Sequence, residues 1–403
     1  MSAFASPTLR RVMRDDLCTG CGLCAGLAPS SVRMTVAEPG FARPEQTGAI
    51  DDMCEERIAS ACPGNAVAPW SNAPMRDPVW GPAIRVMTGH STDPDIRFNG
   101  SSGGAVSALA QLALANGMVD RVLQITADPE MPTRNVLLWA TTREQIISGA
   151  GSRYAPSSPL SQIADALDQP GRFAFVGKPC DVSALRLLAK ADARVDKKIP
   201  LMLSFFCAGV PSHAAADQVI EAMALDPDRV VNFRYRGQGW PGLTRAVTTD
   251  GSVGEMRYAE SWGRHLSRQV QFRCKICPDG VGGVADIACA DAWYGDEGGY
   301  PSFEEVDGRS LIMSRTAKGD ALLSDAIAKG AIETVPLEMG EIAQMQPGQT
   351  RRKRALRARL AACQARGRSR PVMNELDIDR AAAGMPLLKQ LREMLGTWRR
   401  IGR

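Results

Sequence analysis

Three cysteines, each two residues from the next in Cys18-Thr19-Gly20-Cys21-Gly22-Leu23-Cys24, constrain this 403-residue chain more than any other stretch. Thiolates at that spacing on one tight loop are arranged to ligate metal. The run opens like the bacterial ferredoxin motif, whose full form continues x3-Cys-Pro and lends its last thiolate to another cluster. Here the continuation is Ala28-Pro29, so the proline is present and the thiol is not. The matching second run ends in Cys62-Pro63-Gly64, and its three earlier ligand positions hold Asp52, Glu55 and Ile58. Because the two runs exchange ligands, Cys18, Cys21, Cys24 and Cys62 form one complete 4Fe-4S set, while the other set is gone. Cys54 is left over. Structural zinc is the alternative, although zinc sites usually pair their ligands as two separate knuckles.

The chain is long enough for two or three domains with real cores. Apolar residues make up 44% and charged residues 23%, as in a soluble globular protein. No uninterrupted apolar run reaches the roughly eighteen residues a spanning helix needs, and Met1 to Arg14 lacks the apolar centre of a signal peptide. Eleven cysteines in metal-like clusters without an export signal point to a reducing cytoplasm. Charge is uneven: residues 351–403 hold 15 Lys and Arg against 4 Asp and Glu, whereas residues 1–350 hold 33 against 40.

Beyond the cysteine segment, the prolines from Pro69 to Pro82 oppose helix and mark a connection, which places a boundary near residue 75. Gly100-Ser101-Ser102-Gly103-Gly104 then runs into an apolar helix from Ala105 to Asn116. Such a loop presents free N–H groups suited to a flavin pyrophosphate or another anion, or else it is a tight turn that only starts a buried helix. Strands are expected over 121–126, 136–142 and 173–177, with helices over 143–148 and 159–167. The strand ending at Gly177 leads through Lys178-Pro179-Cys180 into a helix, and the strand 201–206 leads through Cys207 into the helix 213–225. Two such units in succession favour parallel neighbours, which places Cys180 and Cys207 on one carboxyl edge of the sheet.

Strand 231–235 and the run 245–258, broken at Asp250-Gly251, predict an antiparallel hairpin. The Cys274-Lys275-Ile276-Cys277 pair supplies two ligands and needs two more, which Cys180 and Cys207 can provide. A redox disulfide, or thiols packed as small hydrophobes, are the competing readings. Cys54, Cys289 and Cys363 then remain as free thiols. A strand–helix–strand unit over 310–336 precedes a basic tail and a last helix. There Leu387, Leu388, Leu391, Met394, Leu395, Trp398 and Ile401 share a face. That face suits an anionic membrane surface, docking on the chain's own domain, or a partner. Nucleic-acid binding is disfavoured, because the basic stretch lacks interleaved aromatics.

Taken together, these motifs resemble the coenzyme F420 hydrogenase/dehydrogenase beta-subunit family over roughly residues 15 to 335. The resemblance rests on Gly100 to Gly104, Gly151-Ser152-Arg153-Tyr154, Val176 to Cys180, Phe206 to Ser212, and Cys274 to Asp279 with Ala285-Asp286-Ile287. It implies FAD and two 4Fe-4S clusters, with the flavin held at Gly100, Ser101, Ser102, Gly103, Gly104, Gly151, Ser152 and Tyr154. Ala290 stands where the family commonly has glycine before Asp-x-Trp. Lys178 is the candidate catalytic residue, with a plain structural lysine as the alternative.

The expected fold is α/β (α+β mixed): a ferredoxin-like module (1–75), then a mostly parallel α/β flavin domain (76–160), a C-terminal domain with the second cluster and a hairpin insertion (161–340), and a basic helical tail (341–403). The expected function is an iron–sulfur flavoprotein oxidoreductase relaying electrons between a ferredoxin or other redox protein and an organic small molecule. A non-catalytic electron-transfer subunit of a larger complex is the alternative, and an oligomer is compatible with either.

Overall fold

A computed structural model of the chain describes residues 5–295 and 301–401. The cysteine segment is built from helix Pro7–Arg14, the short helix Leu23–Leu27, a hairpin of β1 (Val32–Ala37) and β2 (Phe41–Gln46), and helix Asp52–Ala61. The proline-rich connection carries a small antiparallel pair, β3 (Met75–Asp77) and β4 (Gly81–Ala83), and buries Trp70 and Trp80.

Strands β5 (Arg85–Ser91), β6 (Arg121–Ala127), β7 (Asn135–Ala140), β8 (Phe173–Gly177) and β9 (Leu201–Phe205) then enter one large sheet. A separate antiparallel sheet is made of β10 (Val230–Arg234), β11 (Leu243–Thr248) and β12 (Val253–Arg257), which contains the expected hairpin. Finally β13 (Ile287–Asp291), β14 (Ser310–Ser314) and β15 (Ile332–Pro336) complete the large sheet, in the order β15-β5-β14-β13-β9-β8-β6-β7.

The expectation of a mostly parallel sheet needs correction. Three pairings are parallel, β13–β9, β9–β8 and β8–β6, and the other four are antiparallel. One cause is legible: the connection 128–134 is too short for the crossover helix that a parallel β7 would need. The parallel core is where the two strand–turn–helix units predicted it, with Val176 opposite Leu203 and Gly177 opposite Ser204. The helix expected over 159–167 spans Ile163–Asp168 instead, because Leu160 N–H is engaged by Cys21 O at 2.9 Å.

Alternation along the strands sorts the core. In β8, Ala174 packs on one face beneath helix Ala105–Ala115, while Phe173 and Phe175 pack on the other against helix Pro179–Leu188. Leu201 and Leu203 of β9 join the first layer and Met202 the second. Cys21 and Leu23 join that second layer, so the cysteine segment is seated on the body of the sheet. Gly26 fits there without a side chain: a Cβ would stand 2.1 Å from Leu160 O.

Candidate functional site

Chain direction brings the motifs together. β5 is separated from β13 by two antiparallel steps and so runs the same way as β13, β9, β8 and β6. The loops after β5, β8 and β9 therefore leave one edge of the sheet, where open α/β folds gather ligands. A cavity of ≈ 270 Å³ lies at that edge, lined by Gly100, Ser101, Ser102 and Gly104, by Gly151 to Tyr154, and by Lys178 and Cys207.

Helix Ala105–Ala115 begins at Gly104 (φ +75°) with no side-chain cap, which leaves its first N–H groups toward the cavity. Ser152 N–H donates to Ser101 Oγ, which ties the two glycine loops together. Gly103 is the exception among the expected flavin residues. It faces the sheet, donating to Ser310 Oγ at 2.9 Å, and a Cβ there would stand 2.5 Å from Gly89 O.

At the cavity floor Lys178 Nζ lies 2.7 Å from Asp181 and 3.1 Å from Ser157 Oγ. Burial alone would lower its pKa, but the charges of Asp181, Cys180 and Cys207 more than offset this, and the ammonium stays protonated above its ordinary range. The same cavity is lined by residues the sequence reading missed. Tyr258, Trp262 and Trp293 form an aromatic wall, with Trp293 stacked on Trp240 at 4.7 Å. Arg236, 1% exposed, holds Asp291 at 2.6 Å and lies over the Tyr258 ring at 4.5 Å. The Asp-x-Trp run over 291–293 was the one signal for this group. Cys289 also lines the cavity, its thiol pushed up to about 12 by burial.

The cysteines of each expected set lie near one another. Cys24 lies within the electrostatic reach of Cys21, Cys18 and Cys62, and Cys207 within that of Cys274, Cys277 and Cys180. All eleven thiols are free. Burial raises the pKa of Cys62 to about 11 and that of Cys207 to about 12, while backbone N–H groups work the other way: Gly20 donates to Cys18 Sγ at 3.4 Å, Leu23 to Cys21, Gly64 to Cys62 and Gly209 to Cys207. Thr19 Oγ1 is buried beside Cys18 without a hydrogen-bond partner among the described residues. Loop amides donating to clustered sulfurs fit anionic iron–sulfur ligation.

Among the described residues, no group of three His, Cys, Asp or Glu side chains is placed to hold a single metal ion.

Around the inner four thiols, helix Pro347–Ala365 supplies a clamp. Arg352 donates to Cys207 O at 2.7 Å and Cys274 O at 2.9 Å, Gln349 to Cys207 O at 3.0 Å, and Lys353 to Pro278 O at 2.7 Å.

Residues 86–164 match the family model for the coenzyme F420 hydrogenase/dehydrogenase beta subunit N-term, and residues 171–339 match that for its C terminus. The chain belongs to the coenzyme F420 hydrogenase/dehydrogenase beta-subunit family. It is therefore a member of an oxidoreductase family. Relatives include the F420-dependent formate dehydrogenase 1 subunit beta of Methanococcus maripaludis, 30% identical over 60% of this chain and 59% of that one. The coenzyme F420 hydrogenase subunit beta of Methanococcus voltae is 27% identical over 62% of this chain and 82% of its own length. The first of these relatives is thus matched over less than two thirds of its length. In fold, the chain is similar to a chain of the F420-reducing NiFe hydrogenase complex from Methanosarcina barkeri, with a TM-score of 0.52 and 24% identity, covering 70% of this chain and 95% of that one. The helix clamp at 347–365 lies beyond the matched family models.

Proposed function

We propose that this family member is an iron–sulfur flavoprotein subunit that passes electrons between a redox protein and an organic two-electron substrate, within a larger assembly. Cys18, Cys21, Cys24 and Cys62 would hold an outer 4Fe-4S cluster, and Cys180, Cys207, Cys274 and Cys277 an inner one. FAD would lie along the cavity from the Gly100–Gly104 loop toward Lys178. When bound, the clusters supply single-electron steps and the flavin couples these to electron pairs.

The carrying observation is that one cavity touches the glycine loop, Lys178 and Cys207 together. The uncapped helix start and the Ser101 and Ser152 loops suit a phosphate-bearing group. Lys178, locked by Asp181, holds positive charge where electron density arrives. Tyr258, Trp262 and Trp293 keep water from that end and offer flat faces to a planar substrate. The relatives are subunits by name, which supports work within a complex and a redox protein as partner.

Anaerobic purification followed by iron, sulfide and flavin analysis tests this. About eight iron atoms and one FAD per chain are expected. About four iron atoms would remove one of the two thiol sites, and colourless protein would end the reading.

A further inference from the structure

The last helix, Leu387–Ile401, turns its leucines away from the protein. A surface helix ordinarily buries its apolar stripe. This one is anchored by another arc: Glu393 pairs with Arg359 at 2.8 Å, Gln390 accepts from Arg357 at 2.9 Å, and Thr397 and Ile401 are buried. Leu387, Leu388, Leu391 and Leu395 are left 69%, 73%, 43% and 52% exposed. They follow one another along a single stripe at the spacing of helix turns.

The neighbouring arc is cationic. Lys389, Arg392, Arg399 and Arg400 are all exposed, while the helix's one acid, Glu393, is consumed by Arg359. The stripe is the convex side of one helix, so it offers no groove for a partner's side chains. A second copy placed against it would face the same four cations. A headgroup layer bearing negative charge meets both parts at once, taking leucines into its apolar boundary and cations at its phosphates. Among the described residues no helix is long and apolar enough to cross a membrane, so such a helix would lie in the surface plane.

We propose that the stripe Leu387, Leu388, Leu391 and Leu395, with its flank Lys389, Arg392 and Arg399, binds an anionic lipid surface and holds the protein against it. This is independent of the redox reading, because none of these residues lines the cavity.

The test is flotation of the full chain with its cofactors, using vesicles of phosphatidylglycerol and of phosphatidylcholine. Binding to the first and not the second is expected. Two variants, Leu387→Ser/Leu388→Ser/Leu391→Ser/Leu395→Ser and Lys389→Gln/Arg392→Gln/Arg399→Gln, should each weaken it about tenfold or more. All seven positions are exposed, so both variants should keep the melting temperature and solution mass of the parent. No binding to phosphatidylglycerol, or equal binding to both vesicles, overturns the proposal. So does a parent that sediments as a dimer and becomes monomeric in the leucine variant, since the stripe would then be covered by a second copy.

Discussion

Gln271 Nε2 stands 3.6 Å from Cys274 Sγ and donates to Thr19 O at 3.1 Å, so one buried amide touches a thiol of the inner set and the loop of the outer set. Arg43 completes the bridge, donating to Gln271 Oε1 at 2.9 Å, and Arg273 adds a second tie to Pro63 O at 3.0 Å. The two thiol sites are therefore joined through packed polar groups and not across solvent.

Replacing Gln271 with Leu should slow electron passage between the sites several-fold while leaving iron and flavin content intact. Stopped-flow reduction of the flavin by a donor that enters at the outer site measures this. Unchanged kinetics with normal iron content would show that Gln271 is packing alone.

Arg352 brings positive charge to Cys207 and Cys274 through their backbone carbonyls, and its field lowers the Cys207 thiol against the larger upward effect of burial. Positive charge favours the more negative, reduced state. Arg352→Gln should accordingly lower the midpoint potential of the inner site by something on the order of tens of mV, with Arg352→Lys closer to the parent. Redox titration followed by electron paramagnetic resonance decides, and a potential that does not move in Arg352→Gln would assign the residue to loop packing only.

The parts legible in the sequence are those with short-range causes. The parallel pair β8–β9 and the helix 143–148 both follow from local pattern, and the structure has each where the pattern placed it. What escaped depends on distance along the chain. Arg236 finds Asp291 from 55 residues away, Gln349 reaches Cys207 from 142, and Gln271 reaches Thr19 from 252. A lone Arg or Gln carries no sign of such a partner. The last helix was legible from its apolar periodicity, but periodicity does not say whether a face turns inward or outward.

Gly26→Ala should loosen the outer site. Its Cβ would meet Leu160 O at 2.1 Å, a backbone atom that cannot yield without moving the chain, and the Ile163 side chain at Cγ2 at 2.9 Å. A cost of about 1–3 kcal/mol is expected, read as a lower melting temperature together with faster loss of iron on dilution. A variant that melts like the parent would mean that the segment seats more loosely than these contacts require.

Asp15 ties the first helix to the tail: it accepts from Ser369 N–H at 3.1 Å and pairs with Arg14 at 2.9 Å. Burial pushes its carboxyl up, but Arg14 and Ser369 outweigh that and hold it at about 2 against an ordinary 3.8. A carboxyl depressed by folding adds stability that is full above the unfolded value and is lost as pH falls through the folded one. Allowing for the exposure of Arg14, Asp15→Asn should cost about 1–2 kcal/mol near pH 6. The gap between parent and variant should shrink by about half near pH 3. Urea unfolding of both proteins at the two pH values measures it, and the comparison cancels acid loss of cofactors common to both. A gap that stays constant from pH 6 to pH 3 would mean that the Asp15 charge contributes nothing and that the Ser369 contact works through shape alone.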